Sequence, residues 1–278
     1  MNNHLLLYLF YGFIAGFSEF TPVSASAHQA LFPMLLRFDS TWPILRFFVH
    51  AGALAAVVLL YWQRLNHIWH EVRLVALPPR QRKRPPDIDA VLDSRLTLVA
   101  VVPTLIGSIC SAFLFRNGAN LLWLATLLIC GAILIYLPDY VPGGDRKTGS
   151  MSPLEGLMLG VCAGCSIIPG VSGVGLMLAL GLLLKCDRRY ILDLILLISG
   201  MMLAERMLVD FVSIFAAGFA GFSLMRFIGC MMAAAASFGG GIGAILLMRF
   251  LSVKTGFSGF AFYGWGLGLV SFILYLMV

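Results

Sequence analysis

Long apolar stretches alternate along the chain with short polar ones, and the places where the apolar pattern breaks are the informative ones. Runs of about twenty apolar residues, enough to cross a bilayer as a helix, fall at Pro43 to Trp62, Leu96 to Phe115, Leu121 to Leu137, Ile191 to Leu208, Phe222 to Leu251 and Phe257 to Val278. About six transmembrane helices are predicted from them. Four further segments, Leu5 to Phe20, Leu31 to Leu36, Leu154 to Ile168 and Leu176 to Leu184, are too short or too interrupted to be spans. They fall into two pairs, and each pair is read as a re-entrant helix pair.

Each pair is split by a proline followed by serine: Pro22, Ser24 and Ser26 within Gly12 to His28, Pro169 and Ser172 within Gly156 to Gly175. In hydrocarbon, broken helices survive only where protein or a polar cavity satisfies the freed backbone groups. Matching breaks half a chain apart point to one site between two duplicated halves, repeat 1 spanning about 1–140 and repeat 2 about 150–278. The expected fold is one all-α polytopic membrane domain built from inverted repeats.

Composition agrees, with 60% of the 278 residues apolar, 12% charged and a mean hydropathy of +0.94. A water-soluble surface is excluded by this balance. Met1 to His4 carry no basic run or small-residue cleavage site, so a removed signal peptide is not expected. The longest polar stretch, residues 63–95, holds seven Lys or Arg against four Asp or Glu and is read as a basic cytoplasmic loop. Lys185, Arg188 and Arg189 place a second basic turn on the same side. The run Arg80 to Arg84 is read as solvated juxtamembrane loop, not as a nucleic-acid site. Cys162 and Cys165 form a C-x-x-C without a second pair or nearby histidine, so packing is the expected role.

Ionisable groups at membrane depth usually mark function. Glu19 ends an apolar run three residues before Pro22, and proline disfavours helix in the residue preceding it. A second short helix then starts with Ser24 or Ser26 as its cap, and its unpaired N–H groups form a seat for phosphate oxygens. His28 follows one turn after Ser24, on the same face. Glu19, Ser24, Ser26 and His28 suit proton transfer or attack on an anionic centre. In the second break, Pro169, Gly170, Ser172, Gly173 and Gly175 make a glycine-rich turn that lets a ligand approach the backbone. Competing structural roles are tight helix packing for this turn, an interfacial carboxylate for Glu19 and a hydrogen-bonded core histidine for His28.

At these residues the chain resembles the undecaprenyl diphosphate phosphatases, also called bacitracin-resistance proteins. Their first signature, acidic-Gly-x-x-Glu-Phe-x-Pro-Val-Ser-Ser-x-Gly-His, is matched by Ala15-Gly16-Phe17-Ser18-Glu19-Phe20-Thr21-Pro22-Val23-Ser24-Ala25-Ser26-Ala27-His28. The second, Pro-Gly-x-Ser-Arg-Ser-Gly, is matched by Pro169-Gly170-Val171-Ser172-Gly173-Val174-Gly175. Similarity continues through Phe48 to Val57, Arg95 to Leu98 and the final spans. The resemblance implies a multi-pass protein of the bacterial cytoplasmic membrane with a cavity opening toward its outer side. It also implies cleavage of a C55 polyprenyl diphosphate to the monophosphate carrier of cell-wall synthesis, assisted by a divalent cation, Mg or Ca.

By that resemblance Glu19, Ser24 and His28 are catalytic, with Glu19 also the metal ligand, while Ser26, Pro169, Gly170, Ser172, Gly173, Gly175 and His50 bind substrate. The chain departs from the pattern at Ala15, Ala25, Gly173, Val174 and His50, where the family has an acidic residue, serine, arginine, serine and glutamine. The stretch Leu194 to Ile198 also lacks the family's serine. Lost charge-assisted bonds to a diphosphate imply weakened hydrolysis, with His50 or an arginine such as Arg206 as substitutes. The alternative is a transporter of polyprenyl phosphate or another anionic lipid that binds without cleaving, and a scaffold with a relic site ranks last. Lipid and membrane are the expected partners, nucleic acid is not, and homo-oligomerisation is left open.

Overall fold

The computed structural model describes residues 2–40, 42–114, 120–140, 144–217, 222–254 and 256–277. Met1 and the expected span ends Phe115 and Val278 lie outside the described residues. The helices are α1 (Asn2–Glu19), α2 (Ala25–Leu36), α3 (Pro43–Ala76), α4 (Ile88–Leu114), α5 (Leu121–Tyr136), α6 (Pro153–Gly164), α7 (Gly173–Leu183), α8 (Arg188–Ala217), α9 (Leu224–Lys254) and α10 (Gly259–Met277). Four stretches are long and apolar enough to cross a membrane: Pro43–Ala76, Ile88–Cys110, Leu224–Val253 and Gly259–Met277. The protein is an all-α, multi-pass membrane protein.

Two of the six expected spans differ from expectation. Helix α5 has 16 residues, about 24 Å at roughly 1.5 Å per residue, short of the roughly 30 Å hydrocarbon core. Helix α8 has 30 residues, yet Asp193, Glu205, Arg206 and Asp210 interrupt its apolar run. The stretch 63–95, read as a loop, is helical over most of its length. Helix α3 continues to Ala76, where Leu77 turns extended ahead of Pro78, the conformation that a following proline imposes. Residues 77–87 alone connect it to α4. The fully buried Glu71 ties down this link, accepting from Arg84 and from the Asp87 amide at 2.8 Å.

The two halves pack as counterparts. Helix α1 runs alongside α9 in the same direction, Gly12 against Ala233 and Gly16 against Ser237; α6 lies the same way on α4, Gly156 against Leu96 and Gly160 against Ala100. Helices α3 and α9 are also parallel, with the Ser237 hydroxyl donating to the Val49 carbonyl at 2.8 Å and Arg249 over the Tyr61 ring. So are α4 and α8, joined by Tyr190 to Asp93 at 3.3 Å and Thr104 to Glu205 at 2.9 Å. Equivalent helices, by contrast, oppose each other. Along α3 and α8, Arg64 meets Asp193 at 2.9 Å, Val57 meets Gly200, and His50 meets Asp210 at 2.8 Å. Helices α5 and α10 are likewise antiparallel, Ala125 beside Gly268 and Ala132 beside Gly264. Antiparallel equivalents are the relation of inverted-topology repeats.

The broken helices follow the same scheme from opposite ends. Tyr8 and Tyr11 of α1 pack on Phe38 and Phe32 at the far end of α2, so the pair folds back as a hairpin whose break is its apex. Arg146 binds Glu155, at the start of α6, and the Leu184 carbonyl, just past α7, each at 2.9 Å, closing the second hairpin. Both basic segments lie at one end of the bundle, where Arg64 joins Asp93 at 2.6 Å and Asp193 at 2.9 Å.

Small residues set the helix spacing. A Cβ at Gly16 would overlap the Ser237 carbonyl oxygen, whereas one at Gly243 of α9 meets nothing within 4 Å among the described residues. Gly16→Ala is expected to lower the thermal unfolding temperature in detergent, overpacking costing about 1 to 3 kcal/mol. Gly243→Ala is expected to hold or raise it, since alanine is favoured over glycine in a helix by up to about 1 kcal/mol. Equal effects would show that α1 does not pack this closely on α9.

Candidate functional site

The first break forms because the helix cannot continue into Thr21-Pro22, and it restarts at Ser24. Ser24 caps α2, its hydroxyl oxygen accepting from the Ala27 amide at 3.3 Å, and stands at φ 56°, ψ 91°. Positive φ is uncommon for a residue with a Cβ, and such backbones concentrate at functional sites. Its hydroxyl lies 3.2 Å from that of Ser26, which donates to the Ile168 carbonyl of the second break at 3.4 Å. The two apices therefore touch. In the second break Ser172 caps α7, accepting from the Gly175 amide at 3.1 Å, and Gly170 adopts φ +101° against α5.

Arg206, reaching in from α8, joins the two breaks. Its Nη1 donates to both oxygens of the buried Glu19, at 2.9 and 3.0 Å, and its Nη2 donates to the Ser166 hydroxyl at 2.9 Å. Gln29 of α2 donates to the Glu19 Oε1 at 3.2 Å. The neighbouring Glu205 turns the other way, toward Thr104 on α4, and its second oxygen is buried with no hydrogen-bond partner among the described residues. Glu19 is thus neutralised in place, as a carboxylate at membrane depth requires.

His28 sits one turn into α2. Its Nδ1 lies 2.9 Å from the Ser24 carbonyl and its Nε2 lies 2.6 Å from the Tyr263 hydroxyl on α10. A carbonyl only accepts, so Nδ1 carries the proton, and in the neutral ring Nε2 offers its lone pair. The two rings stack within 6° of parallel. Both line a cavity of about 600 Å³ whose other walls include Phe13, Phe17, Val23 and Phe260. It extends from the apex of the first break to the α9–α10 turn, which Asp139 secures by accepting from the Phe257 and Ser258 amides at 2.6 Å, with Arg188 3.2 Å from the same carboxylate. The cavity therefore reaches toward the basic end of the bundle. The resemblance implies an opening on the opposite side.

Glu19, Ser24, Ser26 and His28 are brought together by this arrangement, but Ser172 faces elsewhere. It lines a second, almost wholly apolar cavity of about 240 Å³ with Leu127, Cys130, Cys165 and Leu176. Gly173 packs on α6 and Gly175 on Ile135. His50 is held by Asp210, which also takes Arg46 at 3.1 Å, and borders neither cavity. A Cβ at Gly173 would stand 2.9 Å from the Ser166 Cβ and 3.0 Å from the Ala163 carbonyl, so a side chain there requires its neighbours to move. Tyr263, Gln29 and Ser166 were not anticipated from the sequence. Among the described residues, no three His, Cys, Asp or Glu side chains gather as a metal-binding group.

Residues 8–270 match the family described as Bacitracin resistance protein BacA. Among curated proteins, the chain is 27% identical to the undecaprenyl-diphosphatase of Halothermothrix orenii, the match covering 96% of each chain. It is 28% identical to that of Desulforapulum autotrophicum over 94% of this chain and 95% of the relative. The Neisseria meningitidis protein of the same name is 27% identical, over 96% of this chain and 94% of the relative.

The backbone at Ser24 yields a stability test. Ser24→Ala removes the cap and keeps the strained backbone, so it should cost about 1 kcal/mol. Ser24→Gly tolerates positive φ and loses only a few tenths as a cap, so its thermal unfolding temperature should exceed that of Ser24→Ala. The reverse order would contradict the left-handed conformation.

Proposed function

The chain belongs to the bacitracin resistance protein BacA family, and we propose that it hydrolyses undecaprenyl diphosphate, the activity named for its relatives, to the monophosphate carrier lipid of the bacterial cytoplasmic membrane. Residues 1–140 and 150–278 serve as its two repeats, with the basic segments at the cytoplasmic face. The observation that carries this reading is His28. A tautomer set by the Ser24 carbonyl aims Nε2 into a cavity whose walls are apolar enough for a polyprenyl chain.

In this reaction His28 takes a proton from water through Nε2 as the water oxygen bonds to the terminal phosphorus. The bond from that phosphorus to the bridging oxygen breaks, and the lipid monophosphate leaves with its electron pair. Ser24 and Ser26, at the first turn of α2, hold phosphate oxygens where amides and the helix dipole favour negative charge. The glycine-rich turn at Pro169, Gly170, Ser172, Gly173 and Gly175 borders the separate apolar cavity, and its Gly175 amide is taken by Ser172, so it abuts the phosphate seat through the neighbouring Ile168 carbonyl without binding the substrate itself. Tyr263 occupies the hydrogen-bonding position on Nε2 that the water takes over. Glu19 positions this apparatus through Arg206 and Gln29.

A divalent cation would find Glu19 as its carboxylate ligand here. Both Glu19 oxygens are engaged by Arg206, and Gln29 adds a further bond to one of them. This donor set does not fit a protein-held cation, for which several oxygen ligands are usual, so no step is derived through one.

Purified protein incubated with a polyprenyl diphosphate should release phosphate, and His28→Ala should slow release on the order of 10² to 10⁴-fold. Release unchanged in the variant would remove His28 from its role. Binding without release by the wild type would replace hydrolysis with lipid-phosphate transport.

A further inference from the structure

Resting on that reading, we propose that Arg206 is the anion-binding cation of this site, delivered from α8 and held ready by Glu19 until the lipid's phosphate displaces the carboxylate. The guanidinium splits its fork between the halves: Nη1 to Glu19 at the first break, Nη2 to Ser166 just before the second. It stands at the junction of the two apices, where Ser26 meets the Ile168 carbonyl. A structural counter-ion is usually enclosed with its partner, but the Arg206 side chain keeps 18% of its surface exposed while Glu19 keeps 2%. The arginine is thus the more exposed member of the pair, although like His50 it lines neither cavity.

Packing explains why the cation comes from this helix. The Ser166 Cβ occupies the space that a side chain at position 173 would enter, and the Ser166 hydroxyl then holds Arg206. One small residue both closes the loop position to a charged side chain and seats the charge arriving from α8. Phosphate oxygens match a planar guanidinium at least as well as one carboxylate does. A diphosphate also carries more negative charge than Glu19, so the exchange favours the ligand. Once displaced, Glu19 keeps the Gln29 bond and stays beside the guanidinium, so neither charge is left alone, and Arg206 keeps Ser166 as its fixed point.

Equilibrium binding of inorganic pyrophosphate and of a polyprenyl monophosphate, neither requiring turnover, tests this on the full protein in detergent. Arg206→Gln should weaken both by on the order of 10²-fold, and Arg206→Lys should fall between it and the wild type. Glu19→Gln should bind about tenfold more tightly, because the competing carboxylate is gone. Pyrophosphate should raise the unfolding temperature of Glu19→Gln more than that of the wild type. Glu19→Gln with Arg206→Gln should bind as weakly as Arg206→Gln alone. Wild-type affinity in that double variant would mean that Arg206 merely neutralises Glu19, and the proposal falls. It falls also with unchanged affinity in Arg206→Gln, weakened binding in Glu19→Gln, or no binding by the wild type. Gly173→Arg with Val174→Ser should not raise phosphate release, and a gain would return the clamp to the loop. Binding without phosphate release by the wild type would overturn hydrolysis and leave this inference standing; phosphate release with unchanged KM in Arg206→Gln would do the opposite.

Discussion

A single guanidinium, Arg206, donates one arm to each of two broken helices at membrane depth. Removing charge from water costs several kcal/mol per ion, and the cost is recovered only where geometry and extra hydrogen bonds are good. Glu19 meets that condition, since both of its oxygens are bonded and Gln29 adds a neutral donor. Leaving either member alone in the bilayer interior is far less favourable than keeping both. This pair therefore keys the apices together, and the placement of Ser24, Ser26 and His28 follows from it.

Around that key, the scaffold is built from close approach. Glycines at 12 and 16 of α1 and at 156 and 160 of α6 lie on the backbones of α9 and α4, the small-residue packing that replaces the hydrophobic effect between helices in lipid. Their matching positions bring the two hairpins in from opposite ends to the same depth. Polar residues at the basic end close the bundle. Arg64 bridges Asp93 and Asp193, and Asp139 holds the turn into α10. That turn in turn positions Tyr263 against His28, so a contact at the rim supports one at the centre.

Much of this was readable in the sequence because proline and serine act locally. Pro22 with Ser24, and Pro169 with Ser172, break and restart helices through neighbours only a few residues away; the cap at Ser24 forms as expected, and Ser172 caps α7 in the same manner. Ile191 to Leu208 reads as a plain span by its apolar majority, although Asp193, Glu205 and Arg206 lie within it. What could not be read is long-range. Tyr263 lies 235 residues from His28, one tyrosine among eight, and nothing near it announces α10's approach to α2. Ser166 looks like any small residue until Gly173 is seen to lie against it. The 63–95 stretch misled for a different reason: its charges suggested a loop, but their partners across the link, Arg84 on Glu71 above all, let α3 stay helical well past its apolar section.

The most direct measurement is a double-mutant cycle on unfolding free energy, with Glu19→Gln, Arg206→Gln and the two combined. Coupling of about 1 to 3 kcal/mol is expected, with the double variant losing less stability than the sum of the two single losses. Additive losses, with no coupling, would mean that Glu19 and Arg206 do not meet and that the two breaks are held together by something else.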